Sequence, residues 1–293
     1  MSPAETSPGL TRVGIVGGGI MGSGIAEVCA RAGLEVVLVE VDAEAAHAAQ
    51  ARIAQSLDRA VRRGKLEASS AADTLERLDC GADFDVLADR EIVIEAVAED
   101  RDLKLAVFDR LRHVVTQDDA ILASNTSSIP IVELAVAAGD RAAQVLGLHF
   151  FNPVPVLSLV ELVPSLLTGD GVADRARRFA SDQLGKDPIT APDRAGFTVN
   201  ALLVPYLLSA IRMFEQGLAS AEDIDMGMVK GCAHPMGPLA LSDLIGLDTL
   251  LSVAETLHAE HREPLYAPPP LLARHVAAGL LGRKTARGLY DYR

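Results

Sequence analysis

The chain of 293 residues contains no tryptophan, and its aromatic residues together make up only 4% of the sequence. Its core must therefore consist mainly of aliphatic side chains, and hydrophobic residues of all kinds account for 49% of the chain. With 23% charged residues, 24 glycines and 15 prolines, this composition excludes the disordered and fibrous classes of protein. A chain of this length predicts about two domains.

Positive charge is scarce, because the chain has 27 Lys and Arg residues but 40 Asp and Glu residues, which give a formal net charge of −13. Proteins that bind nucleic acids or anionic membranes in general need a surplus of Lys and Arg to neutralise phosphates. The composition therefore predicts no nucleic-acid partner and no membrane partner. It is compatible only with a local basic patch.

Cysteine is scarce as well, with only Cys29, Cys80 and Cys232 in the whole chain. Their odd number and wide spacing match neither a zinc site nor a disulfide framework. We expect three buried thiols in a reducing compartment, and no metal site.

Long hydrophobic runs are missing. The best candidate for a membrane span, residues 199–211, contains Pro205 and is shorter than the roughly 18 apolar residues that a span requires. Residues 1–9 have neither the basic region nor the apolar region of a signal peptide and are expected to form a short frayed tail. We therefore expect a cytoplasmic protein.

A glycine-rich turn stands out near the start of the chain. An apolar segment at 10–16 and a helical pattern at 20–32 flank the run Gly17-Gly18-Gly19-Ile20-Met21-Gly22, and an apolar segment at 35–40 follows. In this G-x-G-x-x-G pattern the first glycine permits a tight turn, the second lets a pyrophosphate approach, and the third lets helix pack on strand. Residues 17–22 are thus predicted to bind a dinucleotide; the strand and helix around them disfavour a turn without a ligand.

An acidic residue at the end of the second strand indicates which nicotinamide cofactor is used. Glu40 stands where a carboxylate would bond the ribose hydroxyls of NAD and repel the 2′-phosphate of NADP. Asp42 is the fallback for this role, although it is better interpreted as the N-cap of the next helix. Between Glu40 and Gln50 there is no Lys or Arg, so the sequence favours NAD.

Buried and amphipathic segments alternate up to residue 148, a pattern typical of an open parallel sheet with helices on both faces. The predicted strands are 91–95, 121–124 and 145–148, and the predicted helices are 43–63, 68–78, 103–114 and 131–138. An extended proline-rich segment at 153–163, a helix at 172–184 and a short strand at 188–190 complete the first domain. Beyond residue 197 only helices are predicted, at 199–216, 221–230, 238–244, 248–260 and 271–277. The predicted fold is α/β, with a Rossmann-type doubly wound parallel sheet in residues 1–192 and an all-helical domain in residues 193–293.

A histidine lies at the carboxyl end of the last of these predicted parallel strands, where open α/β sheets place their chemistry. From its position alone, His149 could equally be a packed core residue. Glu161 follows after a proline-rich turn, at a distance that lets an extended return segment bring its carboxylate back to the imidazole. The two residues are therefore a candidate acid–base pair.

Further motifs accompany the glycine motif, at residues 95–99, 123–128, 147–155 with Glu161, 196–200, 234–238, 246–248 and 282–285. With these motifs the chain resembles a known family, the L-3-hydroxyacyl-CoA dehydrogenases, and within it the short bacterial 3-hydroxybutyryl-CoA dehydrogenases. The resemblance covers nearly the whole chain.

The resemblance implies an NAD-dependent exchange of hydride between (S)-3-hydroxyacyl-CoA and 3-oxoacyl-CoA. It makes His149 the acceptor of the hydroxyl proton and Glu161 the group that orients the imidazole and stabilises its charge. Ser127 and Asn200 would hold the substrate hydroxyl and thioester, with Ser127 also near the cofactor. A structural alternative for Ser127 is the N-cap of a helix starting near Ile129, and for Asn200 a polar residue at a helix start.

The same resemblance assigns further contacts. Glu99 and Lys104 would lie beside the nicotinamide, and Asn152 and Lys284 would also contact the cofactor, although for Lys104 an ordinary surface position is the alternative. The basic run Arg59, Arg62, Arg63 and Lys65, together with Ser56, would meet the phosphates of coenzyme A. An ordinary solvated helix face is the alternative for these residues.

Two positions depart from the usual pattern of the family: Glu40 replaces a commoner aspartate, and Ala201 replaces a common arginine. The second change leaves the preference for acyl-chain length open. Two other functions also remain open, a same-fold dehydrogenase of a free hydroxy or sugar acid, such as gulonate, and a non-catalytic NAD-binding protein of the crystallin type. The resemblance further implies a homodimer.

Overall fold

The structure is a computed structural model that describes residues 9–293. The chain divides into two compact units, the first ending at Asp193 and the second beginning at Arg194. Residues 1–8 of the predicted N-terminal tail lie outside the described residues.

The first unit is built on an eight-stranded sheet. Its strands are β1 (Arg12–Val16), β2 (Glu35–Val39), β3 (Leu78–Gly81), β4 (Ile92–Glu95), β5 (Ile121–Ser124), β6 (Val145–Phe150), β7 (Leu159–Pro164) and β8 (Asp187–Thr190). They lie in the order β3-β2-β1-β4-β5-β6-β7-β8, with β1 to β6 mutually parallel, β7 antiparallel to β6 and β8 parallel to β7. The first six strands have the order of a dinucleotide-binding sheet, with its switch point between β1 and β4.

The described part of this unit, residues 9–193, contains six α-helices: α1 (Ile20–Arg31), α2 (Ala43–Arg62), α3 (Ala68–Glu76), α4 (Arg101–Val114), α5 (Ile131–Ala137) and α6 (Val172–Arg178). The central strands are buried on both faces, and their aliphatic residues, such as Ile15 and Ile94, are completely inaccessible to solvent. Strands covered on both faces need continuous apolar runs, which is why the sequence revealed them. The predicted doubly wound sheet is confirmed.

Four local predictions were wrong. Strand β3 was missed, because its residues Leu78–Gly81 include only one buried side chain and the strand is defined by pairing with β2 at the sheet edge. Residues 153–157 form a turn instead of an extended segment, since the amides of Val156 and Leu157 both donate to the carbonyl of Pro153. The predicted helix 68–78 ends at Glu76, because Leu78 begins β3. The predicted helix 172–184 is confirmed through Gln183, and its last part, Phe179–Gln183, is π-helical.

The fourth correction concerns the thiols. Cys29 is buried, Cys80 is half-buried and Cys232 is exposed, so the three are not alike. Burial raises the pKa of the Cys29 thiol to about 12, against a smaller opposing effect of Lys186, and keeps this thiol protonated.

The second unit contains five helices: α7 (Val199–Glu215), α8 (Ala221–Gly231), α9 (Pro238–Ile245), α10 (Leu247–His261) and α11 (Pro270–Ala277). They pack around a core of aliphatic side chains that includes Leu207, Leu250 and Leu257. The buried carboxylate of Asp243 accepts hydrogen bonds from the backbone of residues 289 and 290 and from the Tyr292 hydroxyl, and so fixes the C-terminal segment. The predicted helical domain is confirmed. Within residues 9–293, no helix is both long and apolar enough to cross a membrane.

Candidate active site

The glycine-rich turn follows β1 at the switch point of the sheet. Gly17 has a φ of +95°, and a Cβ added at Gly22 would lie 1.8 Å from the carbonyl oxygen of Gly17, so both positions require glycine. A Cβ added at Gly19 would meet nothing within 4 Å, which leaves open space above the first turn of α1. Gly19 is also the N-cap of α1 and provides no side chain to accept from the helix N–H groups. The backbone thus presents donors to an anion at this place, as a pyrophosphate requires.

Side chains hydrogen-bond to both the N–H and the carbonyl of Gly18 and so fix its backbone. Its N–H donates to Glu40 Oε1 at 2.6 Å, and its carbonyl accepts from the Ser23 hydroxyl at 2.7 Å and from Arg52 Nη1. Asp42 caps α2 through the amide of Ala45, so its interpretation as an N-cap is confirmed. Arg52 was not predicted from the sequence, because it lies on α2 beyond the segment 40–50 that directly follows β2.

Glu40 thus lies at the carboxyl end of β2, beside the glycine turn. Its carboxylate accepts from the Gly18 amide through Oε1 and from the Val41 amide through Oε2, the latter at 3.0 Å. The structure brings together the predicted residues 17–22 and the predicted ribose carboxylate.

A buried charge cluster occupies the carboxyl ends of β4 and β5. Glu95 is completely buried, and its carboxylate accepts from Lys104 Nζ at 2.6 Å, from the Val97 amide at 2.7 Å and from the Ser124 hydroxyl at 2.6 Å. Lys104 has only 1% of its surface exposed, so the surface alternative for this residue was wrong. Burying a cation is costly unless an opposite charge or hydrogen-bond acceptors compensate it, and here the compensating charge is the carboxylate of Glu95, the last residue of β4.

Glu99 joins this cluster to the β5–α5 loop. One of its oxygens accepts from the hydroxyls of Thr126 and Ser128, at 2.6 and 2.9 Å, and from the amide of Ser127 at 2.9 Å. Burial raises the pKa of Glu99, but the charge of Lys104, whose Nζ lies 3.4 Å away, and the hydrogen bonds from the loop outweigh it and lower the pKa. The carboxylate is therefore ionised.

Ser127 does not cap a helix. Helix α5 starts at Ile131, after Pro130, and its first amides donate to the carboxylate of Asp193 at 2.7 and 2.9 Å. The predicted N-cap role of Ser127 was therefore wrong, because Pro130 moved the start of the helix and Asp193 took over the cap. Instead Ser127 lies with Glu99 and Lys104 in one cluster.

His149 and Glu161 form a buried pair. They face each other in the antiparallel register of β6 and β7, and Nδ1 of His149 lies 2.8 Å from Oε2 of Glu161. The exposed fraction is 6% for the histidine and 0% for the glutamate. The return segment thus brings the carboxylate to the imidazole through a β-hairpin.

The imidazole is held in orientation by its surroundings. Since the Glu161 carboxylate accepts at Nδ1, that nitrogen carries the proton, and Nε2 is the basic nitrogen of a neutral His149. The ring packs against Phe151, with centroids 4.5 Å apart. Asn125 fixes the end of β6, because its Oδ1 accepts from the Phe150 amide at 2.8 Å. The sequence provided no separate indication for Asn125, which is one residue of the family motif at 123–128.

Two adjoining cavities lie between α1, α2 and the turn that follows β6. The larger, of about 480 Å³, is lined by the predicted residues Ser56, Arg59, Arg63 and Lys65, together with Arg31. The predicted Arg62 does not line it and instead pairs with Asp58 on the exposed side of α2. The smaller, of about 250 Å³, is lined by Asn152, Ile20 and Arg52, among others, and the two share Glu27, Ser56, Arg59, Pro153 and Pro155. The larger cavity is therefore rich in cations although the chain as a whole is acidic.

The remaining predicted residues belong to the second unit. Asn200 is the second residue of α7, consistent with the alternative of a polar residue at a helix start. Lys284 donates to both oxygens of Asp248, at 2.5 and 2.6 Å. Burial raises the pKa of Asp248, but these bonds outweigh it and lower the pKa.

Comparisons with known proteins assign both units to one family. Residues 12–194 match the family model described as 3-hydroxyacyl-CoA dehydrogenase, NAD binding domain, and residues 196–292 match that of the C-terminal domain. A 3-hydroxybutyryl-CoA dehydrogenase of Mycobacterium tuberculosis is 55% identical over 92% of this chain and 93% of its own length. The crystal structure of M. tuberculosis FadB2 has a TM-score of 0.96 at 54% identity, covering 98% of this chain and 100% of that one. That of the (S)-3-hydroxybutyryl-CoA dehydrogenase PaaH1 from Ralstonia eutropha has a TM-score of 0.91 at 47% identity, covering 97% and 99%.

Proposed function

The chain belongs to the 3-hydroxyacyl-CoA dehydrogenase family, and we propose that it interconverts short-chain (S)-3-hydroxyacyl-CoA and 3-oxoacyl-CoA with NAD. The observation that carries this proposal is the buried His149–Glu161 pair at the carboxyl end of the sheet. An alcohol can lose hydride from its carbon only if its hydroxyl also loses a proton, and the pair provides an acceptor for that proton.

The residues of the first unit fit the cofactor. The space above Gly19 and the uncapped start of α1 suit a pyrophosphate, and the Glu40 carboxylate suits a ribose without a 2′-phosphate. When bound, NAD accepts or returns the hydride. Gly17 to Gly22 would hold its diphosphate. Glu99 and Ser127 would flank its nicotinamide side, and the buried Lys104 would act there through its ion pair with Glu99.

In the oxidation direction, Nε2 of His149 accepts the proton of the substrate hydroxyl. The imidazole then carries a positive charge inside a buried site, and the carboxylate of Glu161 stabilises this charge through the bond to Nδ1. In the reverse direction the same nitrogen returns the proton to the oxygen. Ser127 and Asn200 hold the oxygen and the thioester of the substrate in this proposal.

The cation-rich cavity supports a coenzyme A thioester as the substrate. Arg63 and Lys65, with Ser56, would bond the phosphates of coenzyme A, which a free hydroxy acid lacks. This cavity favours the thioester over the alternative of a free hydroxy or sugar acid, and the intact catalytic pair disfavours a non-catalytic crystallin-like role.

A spectrophotometric assay of NADH consumption tests the proposal. We expect rapid oxidation of NADH with acetoacetyl-CoA, slow oxidation with free acetoacetate, and a lower kcat/KM with NADPH. Faster turnover of the free acid would make the substrate a hydroxy acid, and no turnover of either compound would favour the non-catalytic alternative.

We further propose that residues 1–192 bind NAD, that residues 193–293 serve substrate binding and dimerisation, and that the protein acts in the cytoplasm as a homodimer without a nucleic-acid or membrane partner. The homodimer is supported by exposed apolar side chains in the second unit, such as Leu202 on α7 and Leu244 on α9. The reducing compartment is supported by the three free thiols.

A further inference from the structure

The segment that joins β6 to β7, residues 151–158, forms part of the walls of both cavities. Pro153 and Pro155 line the larger and the smaller cavity, and Val156 lines the larger one. We call this segment the β6–β7 turn. Because it starts two residues after His149, its conformation determines how the cation-rich cavity sits relative to the reacting pair.

The backbone of the β6–β7 turn has only a few bonds of its own. The amides of Val156 and Leu157 donate to the Pro153 carbonyl at 2.9 and 3.0 Å, and the Ser158 carbonyl accepts from the amide of Asp187 at 2.8 Å. Val154 is buried against Gly24 of α1, where a Cβ on the glycine would approach within 3.0 Å of the valine. The exposed residues of the turn, Val156 among them, have no comparable anchor in apolar packing.

The side chain of Lys186 supplies a further anchor. This residue immediately precedes β8, and its Nζ donates to the carbonyl of Val154 at 2.7 Å and to the carbonyl of Leu157 at 2.8 Å. It therefore bridges two points of the turn that are three residues apart. The contact crosses about thirty positions of sequence, so local chain geometry does not impose it.

Burying this ammonium group is costly. Lys186 is only 8% exposed, and burial lowers its pKa, with a further lowering by Arg31 and an opposing effect of Cys29. Within residues 9–293 Lys186 takes part in no ion pair, so the carbonyl dipoles of the turn stabilise the charge. An apolar side chain would fill the same space without this desolvation cost, which indicates that the bonds to the turn are the reason for a cation here.

We propose that Lys186 is a positioning residue that holds the β6–β7 turn in the conformation required to bind the coenzyme A part of the substrate. The identity of the ligand rests on the proposed function, whereas the clamp on the turn rests on the two hydrogen bonds. Lys186 acts through Val154 and Leu157, and the chemical step remains with His149 and Glu161.

Three variants separate this role from a general contribution to stability. Lys186→Met keeps the aliphatic stem and removes the charge and the donors, whereas Lys186→Arg keeps both. Arg90→Met is the matched control, because Arg90 is also a buried cation but is paired with Glu35 and Asp89 before the amino end of β4.

Steady-state kinetics are the first measurement. For Lys186→Met we expect the KM for acetoacetyl-CoA to rise about tenfold, because small displacements of a binding wall weaken positioning strongly, while the KM for NADH changes less than about twofold. Lys186→Arg should recover most of this loss. Arg90→Met should lower the thermal stability and leave both KM values unchanged.

Hydrogen–deuterium exchange of the holoenzyme is the second measurement, and it does not depend on the substrate. We expect the peptide that covers residues 151–158 to exchange faster in Lys186→Met than in wild type, with no such change in Arg90→Met. If Lys186→Met does not fold, the same two measurements on Lys186→Gln decide the matter.

The outcomes are distinct. Unchanged exchange of the β6–β7 turn would overturn the clamp, and equal changes of both KM values in Lys186→Met and Arg90→Met would reduce Lys186 to a structural residue. If wild type turned over only free acetoacetate, the proposed function would be wrong, and the exchange of the turn would still decide whether Lys186 holds it.

Discussion

The bond between Nδ1 of His149 and the Glu161 carboxylate joins the two residues into one acid–base unit. Replacing His149 by Gln removes the proton acceptor, so kcat should fall by about 10²–10⁴. Glu161→Gln should also lower kcat, because the buried imidazolium loses its stabilising charge. The double variant should be little slower than the slower single variant, since each substitution disables the same step.

Binding of NADH, followed by its fluorescence, is the control for both substitutions and should stay near the wild-type value. Additive losses in kcat would show that the two residues act independently. A His149→Gln enzyme with nearly normal kcat would exclude this mechanism.

Glu40 determines the choice of cofactor in our proposal. Glu40→Gln keeps an oxygen that can accept from the Gly18 amide and removes only the charge, so the preference for NAD over NADP should fall by roughly 1–3 kcal/mol. The measurement is the ratio of kcat/KM for the two reduced cofactors. Asp42→Asn, which also removes a nearby charge but keeps an N-cap, should leave this ratio unchanged; an equal change in both variants would contradict the assignment.

The lowered pKa of Glu99 makes stability depend on pH. Because its pKa in the folded protein lies below the unfolded value, the ionised group stabilises the fold above the unfolded pKa, and this contribution is lost as pH falls through the folded pKa. Wild type should therefore exceed Glu99→Gln in free energy of unfolding at neutral pH, and the gap should narrow under acid conditions. Urea titrations at several pH values measure the gap; a constant gap would contradict the proposed charge interaction with Lys104.

At the scale of elements, the segment that directly follows α2 carries the cations that we assign to coenzyme A. Arg63 and Lys65 line the larger cavity, whereas Arg62 pairs with Asp58 on the exposed side of the helix. Exchanging Arg63 and Lys65 for Glu should raise the KM for acetoacetyl-CoA and leave that for NADH nearly unchanged, because only the thioester meets these charges. The effect should shrink at high salt.

Arg62→Glu is the matched control for this prediction, since it reverses a neighbouring charge outside the cavity wall. Its KM for acetoacetyl-CoA should stay close to wild type. If the single control changed KM as much as the cavity variant, a long-range field would be acting, and the assignment of the cavity would be wrong.

The sequence predicted the elements whose formation depends on local pattern. Strands β1 and β4 are continuous apolar runs, and the starts of α1 and α2 are set by a glycine turn and by the Asp42 cap. Elements defined by partners distant in sequence were not predictable in this way. Strand β3 exists through pairing with β2, and the start of α5 depends on Asp193.

The same difference between local patterns and distant partners explains which parts of the active site were predicted. The glycine turn and the His149–Glu161 pair are signalled by spacing, and both were found. Lys104 looked like a surface residue of an amphipathic helix, because the buried carboxylate that pairs with it ends a different element. The clamp by Lys186 on the turn after β6 carries no signal in the local sequence.

At the scale of the whole molecule, the proposed homodimer gives the last prediction. Leu202 is 73% exposed and Met213 is 44% exposed, and they lie about three helical turns apart on α7, an arrangement that suits association with a second copy of the chain. Light scattering should give twice the mass of the 30.9 kDa chain. Exchanging both residues for Glu should yield monomers, whereas Val136→Glu, at an exposed site on α5, should not. A wild-type protein that remains monomeric at assay concentration would contradict the proposal.

The hairpin of β6 and β7 also affects how the molecule acquires its site during folding. His149 and Glu161 are only twelve residues apart, so they meet when a single β-hairpin forms, an event that takes on the order of 1–10 μs in isolated hairpins. The cofactor-binding parts after β1, β4 and β5 are contributed by parallel strands, whose pairing requires long crossovers and forms slowly. The acid–base unit therefore depends only on contacts that are local in sequence, whereas the nucleotide-binding surface depends on contacts between segments that are distant in sequence.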